Sequence, residues 1–355
     1  MHTTAPLLVS DDPLLISEVQ RLAAAAGVLP DVVSSPGEAL GAWAVAPLVL
    51  VGQDLGASLA ACRPARRDRV HLLARSLAED TLFRVALSLG AESVSELPAS
   101  EAWLVELLTD VGDGAAEPGV VIGVIGGSGG AGATVFAAAL AQRTAGRVNT
   151  LLVDADPLGA GVDRVLGLES VTGIRWDAML QTTGRLSSRS LREALPQEGR
   201  LSVLAWPSDR PASLQAFAMR EVLSAGGRGF DAVVLDLPRH PDPVVLETIS
   251  RCDHLILVST LTVAGVASTT RVARQLPAGG PLRHLVTRGG RAGVTPESVS
   301  RLLRIPLLTA MASQRGLDES VDLGAGPVRS RRGALGRAAR AAADRLVPGP
   351  HSVAA

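Results

Sequence analysis

Residues 120–136 constrain this chain more than any other stretch: Val-Val-Ile-Gly-Val-Ile-Gly-Gly-Ser-Gly-Gly-Ala-Gly-Ala-Thr-Val-Phe. A β-branched run feeds a glycine-rich turn, and an alanine-rich helical segment follows from Val135 to Ala141. Strand, glycine loop and helix in that order form the anatomy of a phosphate-binding loop. The glycines let backbone N–H groups close on an anion, and the helix N-terminus adds a partial positive charge. One part of the usual pattern is absent. A Walker A loop carries a lysine before its Ser/Thr, and here Ala133 precedes Thr134. No lysine can substitute from elsewhere, because the sequence holds none and all 34 basic residues are arginines.

A length of 355 residues suggests two domains, each large enough for its own core. Hydrophobic residues make up 47% but aromatics only 2%, so those cores must be built from Leu, Val, Ile and Ala. Charge is unevenly placed. Residues 1–117 hold 7 Arg and 16 Asp/Glu, a balance of −9, and the remainder holds 27 Arg and 19 Asp/Glu, a balance of +8. Two solvated surfaces account for this, and so does mutual docking or a basic face meeting nucleic acid or anionic lipid. Cys62 and Cys252 lack metal-ligand spacing, which reads as idle thiols in a reducing compartment. No apolar run reaches the roughly 18 residues of a membrane span, and Met1 to Pro6 lacks a basic segment before an apolar one. The expectation is a cytoplasmic protein.

Across residues 1–117 short apolar runs alternate with helical patterns. Strands are expected at 6–10, 28–34, 47–51, 70–74 and 93–97, with helices at 13–26, 36–44, 79–89 and 100–111. Five strands alternating with helices in about a hundred residues predict a doubly wound parallel sheet with its site at the strand C-termini. The whole segment resembles a response-regulator receiver domain. Asp11 and Asp12 match that family's acidic pair for Mg²⁺, the phospho-acceptor position falls on Gly52 with Asp54 two residues beyond, and the Lys-Pro position reads Leu97-Pro98. The resemblance therefore implies a pseudo-receiver that serves for docking, with Asp54 as a displaced acceptor the alternative. Asp11 and Asp12 read either as Mg²⁺ ligands or as a helix N-cap and a surface acid.

The turn-rich stretch 112–119 marks a boundary. Beyond the glycine loop, strands are expected at 150–153, 231–235, 254–259 and 284–286, again an α/β pattern with a mostly parallel sheet. The domains are thus read as 1–113, a linker at 114–119, a second domain at 120–347 and a disordered tail at 348–355.

Here the resemblance sharpens. Ser-Gly-Gly-Ala-Gly-Ala-Thr (128–134) is similar to the deviant Walker A loop of the MinD/ParA superfamily, Asp154-Ala155-Asp156-Pro157 to its motif after the second strand, and Asp236-Leu237-Pro238 to its Walker B. Leu285-Val286-Thr287-Arg288 resembles the strand end that holds the adenine, and Ile305-Pro306 and the run 322–328 resemble its C-terminal elements. A receiver-like segment ahead of such a module resembles the CpaE/TadZ group and its actinobacterial septum-site-determining relatives.

That resemblance implies a spatial regulator at poles or division sites, tied to septum placement or to pilus/secretion assembly. It implies a homodimer through the MinD-like domain, and division or pilus/secretion proteins as partners. It also implies ATP held by Gly129, Gly130, Ala131, Gly132, Ala133 and Thr134, an adenine contact at Thr287, and Mg²⁺ held by Thr134, Asp154 and Asp236. The superfamily's two lysines fall on Ser128 and Ala133, so ATP binding is expected to be weak and hydrolysis impaired more severely. Asp156 reads as the water-positioning residue or as a turn-capping carboxylate beside Pro157. The alternatives are a working ATPase and a ParA-like binder of DNA. The Arg-rich stretch 329–347 reads as a last packing helix, as a shallow membrane-binding helix, or as a salt-sensitive DNA contact.

Overall fold

Four helices begin on the same phrase, a capping side chain followed by proline: Asp12-Pro13, Ser35-Pro36, Asp242-Pro243 and Thr295-Pro296. In each, the capping oxygen accepts a hydrogen bond from a backbone N–H of the first turn, and the proline stands where no N–H is needed. Each cap contributes about 1 kcal/mol and sets where a strand-to-helix loop ends. The computed structural model describes residues 5–75, 80–112, 118–181, 186–207, 213–277, 279–289, 293–328 and 333–348. The chain divides into two units, Met1–Glu117 and Pro118–Ala355.

In the first unit, β1 (Leu7–Val9), β2 (Asp31–Val33), β3 (Val49–Gly52), β4 (Val70–Ala74) and β5 (Ser93–Glu96) form a parallel sheet of order β2-β1-β3-β4-β5. Strand alternation sends Leu8, Leu50 and Leu73 to one face, against the Pro13–Ala25 and Glu101–Gly112 helices. Leu7, Val9, Val49, Val51 and Leu72 go to the other. β2 is shorter than the expected 28–34 because Pro30 cannot donate to a ladder. The Gln53–Ala61 helix, which the periodicity did not single out, starts directly on Gly52.

The second unit holds β6 (Val120–Gly126), β7 (Thr150–Asp154), β8 (Gln197–Glu198), β9 (Leu201–Leu204), β10 (Ala232–Leu237), β11 (His254–Thr260), β12 (Leu282–Arg288) and β13 (Leu307–Met311). Their order is β13-β12-β11-β6-β10-β7-β9-β8, parallel throughout except for the β8–β9 pair. The Ala133–Ala145 and Ala334–Leu346 helices cover one face. The Ala216–Gly229, Pro243–Ser250 and Val263–Gln275 helices cover the other. Both units are doubly wound α/β sheets, as the alternation predicts.

Three sequence expectations are refined by this arrangement. Asp236, Thr287 and Arg288 lie inside their strands rather than after them. Pro118 and Gly119, read as linker, belong to the second unit, where the Gly119 N–H bonds the Gly227 carbonyl at 2.7 Å. The Ala334–Leu346 helix buries Leu335, Ala338, Ala339, Ala342 and Leu346 against the Ala133–Ala145 helix and β13, so its apolar face is part of the core. Residues 113–117, 329–332 and 349–355, which include most of the expected linker and tail, lie outside the described residues.

Candidate functional site

The period of two along each strand decides which side chains meet. On β6, Ile122 and Val124 face the Ala133–Ala145 helix, and Val121 and Ile125 face away. Carried across the parallel register, the same alternation turns Asp154 of β7, Asp236 of β10, Thr260 of β11 and Arg288 of β12 toward the Ala133–Ala145 helix. All four stand at strand C-termini, beside the loop that feeds that helix. Thr287 points to the opposite face, level with Ser259.

The loop is shaped by two glycines in the left-handed region, Gly130 at φ 67° and Gly132 at φ 89°. Gly132 is the N-cap of the Ala133–Ala145 helix, and among the described residues no side chain caps the first turn. Its unpaired N–H groups and helix dipole make an anion cradle. Within the loop the Ala131 N–H bonds the Ser128 carbonyl at 3.2 Å. Gly127 admits no side chain, since a Cβ there would run into Thr269. The Ala133 methyl packs against the core on this face. Ser128 Oγ lies 3.5 Å from Thr260 Oγ1.

Asp154 and Asp236 are register partners on adjacent strands and are only 1% and 2% exposed. Burial pushes the Asp154 carboxyl up to about 7, with the Asp156 and Asp163 charges adding to it. Two backbone N–H bonds oppose the rise, from Asp156 at 3.0 Å and Val162 at 3.1 Å. Burial also raises Asp236 well above the carboxylate range, helped by the neighbouring Asp154 and opposed by a hydrogen bond from the Thr134 hydroxyl. Two desolvated carboxylates side by side favour one shared cation over two bare charges. Among the described residues no three His, Cys, Asp or Glu side chains converge on a metal. The hard oxygens of Thr134, Asp154 and Asp236 suit Mg²⁺, whose other positions would fall to phosphate oxygens and water. Each Asp154 oxygen accepts one N–H bond and keeps a lone pair that could serve the cation, directly or through a water.

Asp156 accepts the Leu158 N–H at 3.0 Å and closes its own turn with the Gly159 N–H on its carbonyl. Thr287 is wholly buried, and its hydroxyl has no partner among the described residues. Its neighbour Arg288, not Thr287, lines a cleft of 220 Å³ that opens beside Gly132 and Val135 and is walled by Met311, Ser313 and Gln314. Arg288 Nη1 reaches the Ala131 carbonyl at 3.4 Å. Arg239, directly after the Asp236-Leu237-Pro238 run, brings Nη1 to 3.9 Å from where a Cβ at Gly129 would stand. Sequence reading placed no arginine of this chain on the loop. Once pairing with β11 fixes the faces of β12, alternation from buried Val286 places Arg288 on the loop side.

In the first unit, Asp54 folds back over Gly52 into the space a side chain there would occupy. It accepts Ser10 Oγ at 3.0 Å and the Asp11 N–H at 2.6 Å. Asp12 is the N-cap of the Pro13–Ala25 helix, accepting the Leu14 N–H at 2.9 Å, and lies 4.0 Å from Arg75. Leu97, at the lysine position, is buried in the core.

A receiver-like sheet with glycine at the acceptor position and a P-loop sheet with no lysine define a two-part α/β protein: a CheY-like unit followed by a MinD/ParA-like fold. Residues 9–119 match the Rv3660c-like, CheY-like N-terminal domain model. Over 336 residues the chain is 35% identical to Rv3660c of Mycobacterium tuberculosis strain H37Rv, spanning 93% of this chain and 94% of that one. It belongs to the Rv3660c-like family. By structure it is similar to a ParA family ATPase from Chlorobium tepidum, with TM-score 0.55 and 16% identity over 65% of this chain and 100% of that one. It is similar also to the septum site-determining protein MinD from Pyrococcus horikoshii, with TM-score 0.55 and 20% identity over 63% of this chain and 94% of that one. These two likenesses show the fold.

Proposed function

We propose that this protein is a spatial regulator of septum placement or partitioning whose second unit binds ATP with Mg²⁺ and turns it over slowly or not at all. The observation that carries the reading is the Thr134–Asp236–Asp154 line, kept on the loop side of the sheet beside lysine positions held by Ser128 and Ala133. Backbone donors and a shielded acid pair serve binding. Phosphoryl transfer needs more, since removing one contact to the developing charge typically costs about a hundredfold in rate. Asp156 is engaged in capping its own turn. The similar P. horikoshii MinD was solved with Mg-ADP, and an Aquifex aeolicus MinD in complex with MinC. Both support a nucleotide-responsive division or partitioning role.

The first unit is a docking module in this reading, because the carboxylate nearest the acceptor position is committed to Ser10 and Asp11. The second unit pairs with its own copy when nucleotide is bound, and division proteins are the partners. Calorimetric titration of the full chain with Mg-ATP, followed by sizing with and without nucleotide, tests this. Saturable heat and a larger species with ATP are expected. Absence of binding would overturn the reading, and a steep salt-dependent titration of duplex DNA would favour a partition-type role instead.

A further inference from the structure

The loop has no cation of its own, yet two arginines from distant parts of the chain stand on it. Arg288 leaves the end of β12 on the face shared with Asp154 and Asp236, and its Nη1 lies 3.4 Å from the Ala131 carbonyl. A Cβ at position 132 would be 2.7 Å from that same nitrogen, so the glycine is also what admits the guanidinium. Arg239 leaves the end of β10, three residues after Asp236, and approaches the other end of the loop at Gly129. Neither arginine has a carboxylate within 4.0 Å among the described residues. A guanidinium that rests on a carbonyl or faces solvent keeps most of its five donors for another acceptor.

We propose that Arg288 and Arg239 supply, in cis, the phosphate-binding charges that the loop's own lysine positions lack. This rests on the nucleotide reading above and names the residues that make it work. The two positions imply different tasks. The cleft beside Gly132 and Val135 lies at the helix end of the loop, with Arg288 in its wall. A nucleoside seated there sends its phosphates along the loop from Gly132 toward Gly129. Arg288 then meets the phosphates nearest the nucleoside, which ADP and ATP share, and Arg239 meets the terminal phosphate, which only ATP has. The forked guanidinium suits two oxygens of one phosphate, a geometry that a lysine does not reproduce.

The test is calorimetric titration of the full chain, native and variant, with Mg-ATP and with Mg-ADP at fixed salt. Arg288→Ala is expected to weaken both nucleotides by about tenfold or more, the scale of one lost charge-assisted hydrogen bond. Arg239→Ala is expected to weaken ATP by about tenfold and to leave ADP within about twofold. Arg288→Lys should recover only part of the loss. Because Arg239 is exposed and Arg288 only half-buried, both alanine variants should keep the native melting temperature, which separates a charge effect from unfolding. If the native chain binds Mg-ATP and both alanine variants bind it equally well, the arginine assignment is overturned and the nucleotide reading stands. If the native chain binds neither nucleotide, both fall.

Discussion

Asp154 and Asp236 face each other across one rung of a parallel sheet, both shut off from solvent and both held above the ordinary carboxylate range. In the ligand-free chain the folded state keeps protons that the unfolded state releases. Stability from Asp154 is therefore greatest below the unfolded value of about 3.9 and falls as pH rises to the folded value of about 7. Asp236 acts in the same direction. Asp154→Asn removes the buried charge but also one of the two N–H acceptors, so its melting temperature relative to the native chain should be higher at pH 8 than at pH 4.5, on a scale of roughly 2–4 °C per kcal/mol. Thermal melts at the two pH values check this. Added Mg²⁺ with nucleotide should narrow the gap at pH 8.

Gly127 lies against Thr269, whose hydroxyl bonds Ser259 Oγ and the Gly265 carbonyl, each at 2.8 Å. The obstacle is a buried, hydrogen-bonded side chain, so Gly127→Ala should cost about 1–3 kcal/mol. Gly130→Ala meets no neighbouring atom but must hold φ 67°, a cost of about 1 kcal/mol. Urea midpoints of the two variants should fall in that order.

The glycine loop, the acids beyond it and the alternation of both sheets were legible in the sequence because each is a local pattern. Arg288 was hidden by a different kind of rule. Its task depends on which face β12 turns to the loop, and only pairing with β11 fixes that face. Thr287 drew attention through its motif, yet it points away from the loop's side of the sheet. Arg239 follows a recognisable Asp-x-Pro run, but nothing in the run says where its side chain goes. The strands β8, β9 and β13 escaped for want of period: they are short, and β13 is only partly buried along most of its length.

Asp54 ties the start of the Gln53–Ala61 helix to β1 through Ser10 and Asp11. Asp54→Ala should lower the stability of the first unit by about 1–3 kcal/mol. Incubation of the native chain with acetyl phosphate should add no phosphoryl group by mass spectrometry. Gly52→Asp alone should behave alike, because Asp54 already fills the space its side chain needs.

Leu335 is 3% exposed and packs with the Ala133–Ala145 helix in one core cluster. If that face were free to enter a bilayer, Leu335→Glu would weaken vesicle binding and leave the fold intact. Burial in the core leads to the opposite outcome: loss of about 3 kcal/mol or more, seen as a broadened or lowered thermal transition. Vesicle sedimentation of the native chain should show no binding that depends on this leucine.

The central claim is a nucleotide site that binds without efficient turnover, and phosphate release at saturating Mg-ATP tests it most directly. For the full native chain the expected result is release at or barely above the protein-free rate while calorimetry shows the site filled. Sustained release that Asp236→Ala abolishes would contradict it and establish a working ATPase.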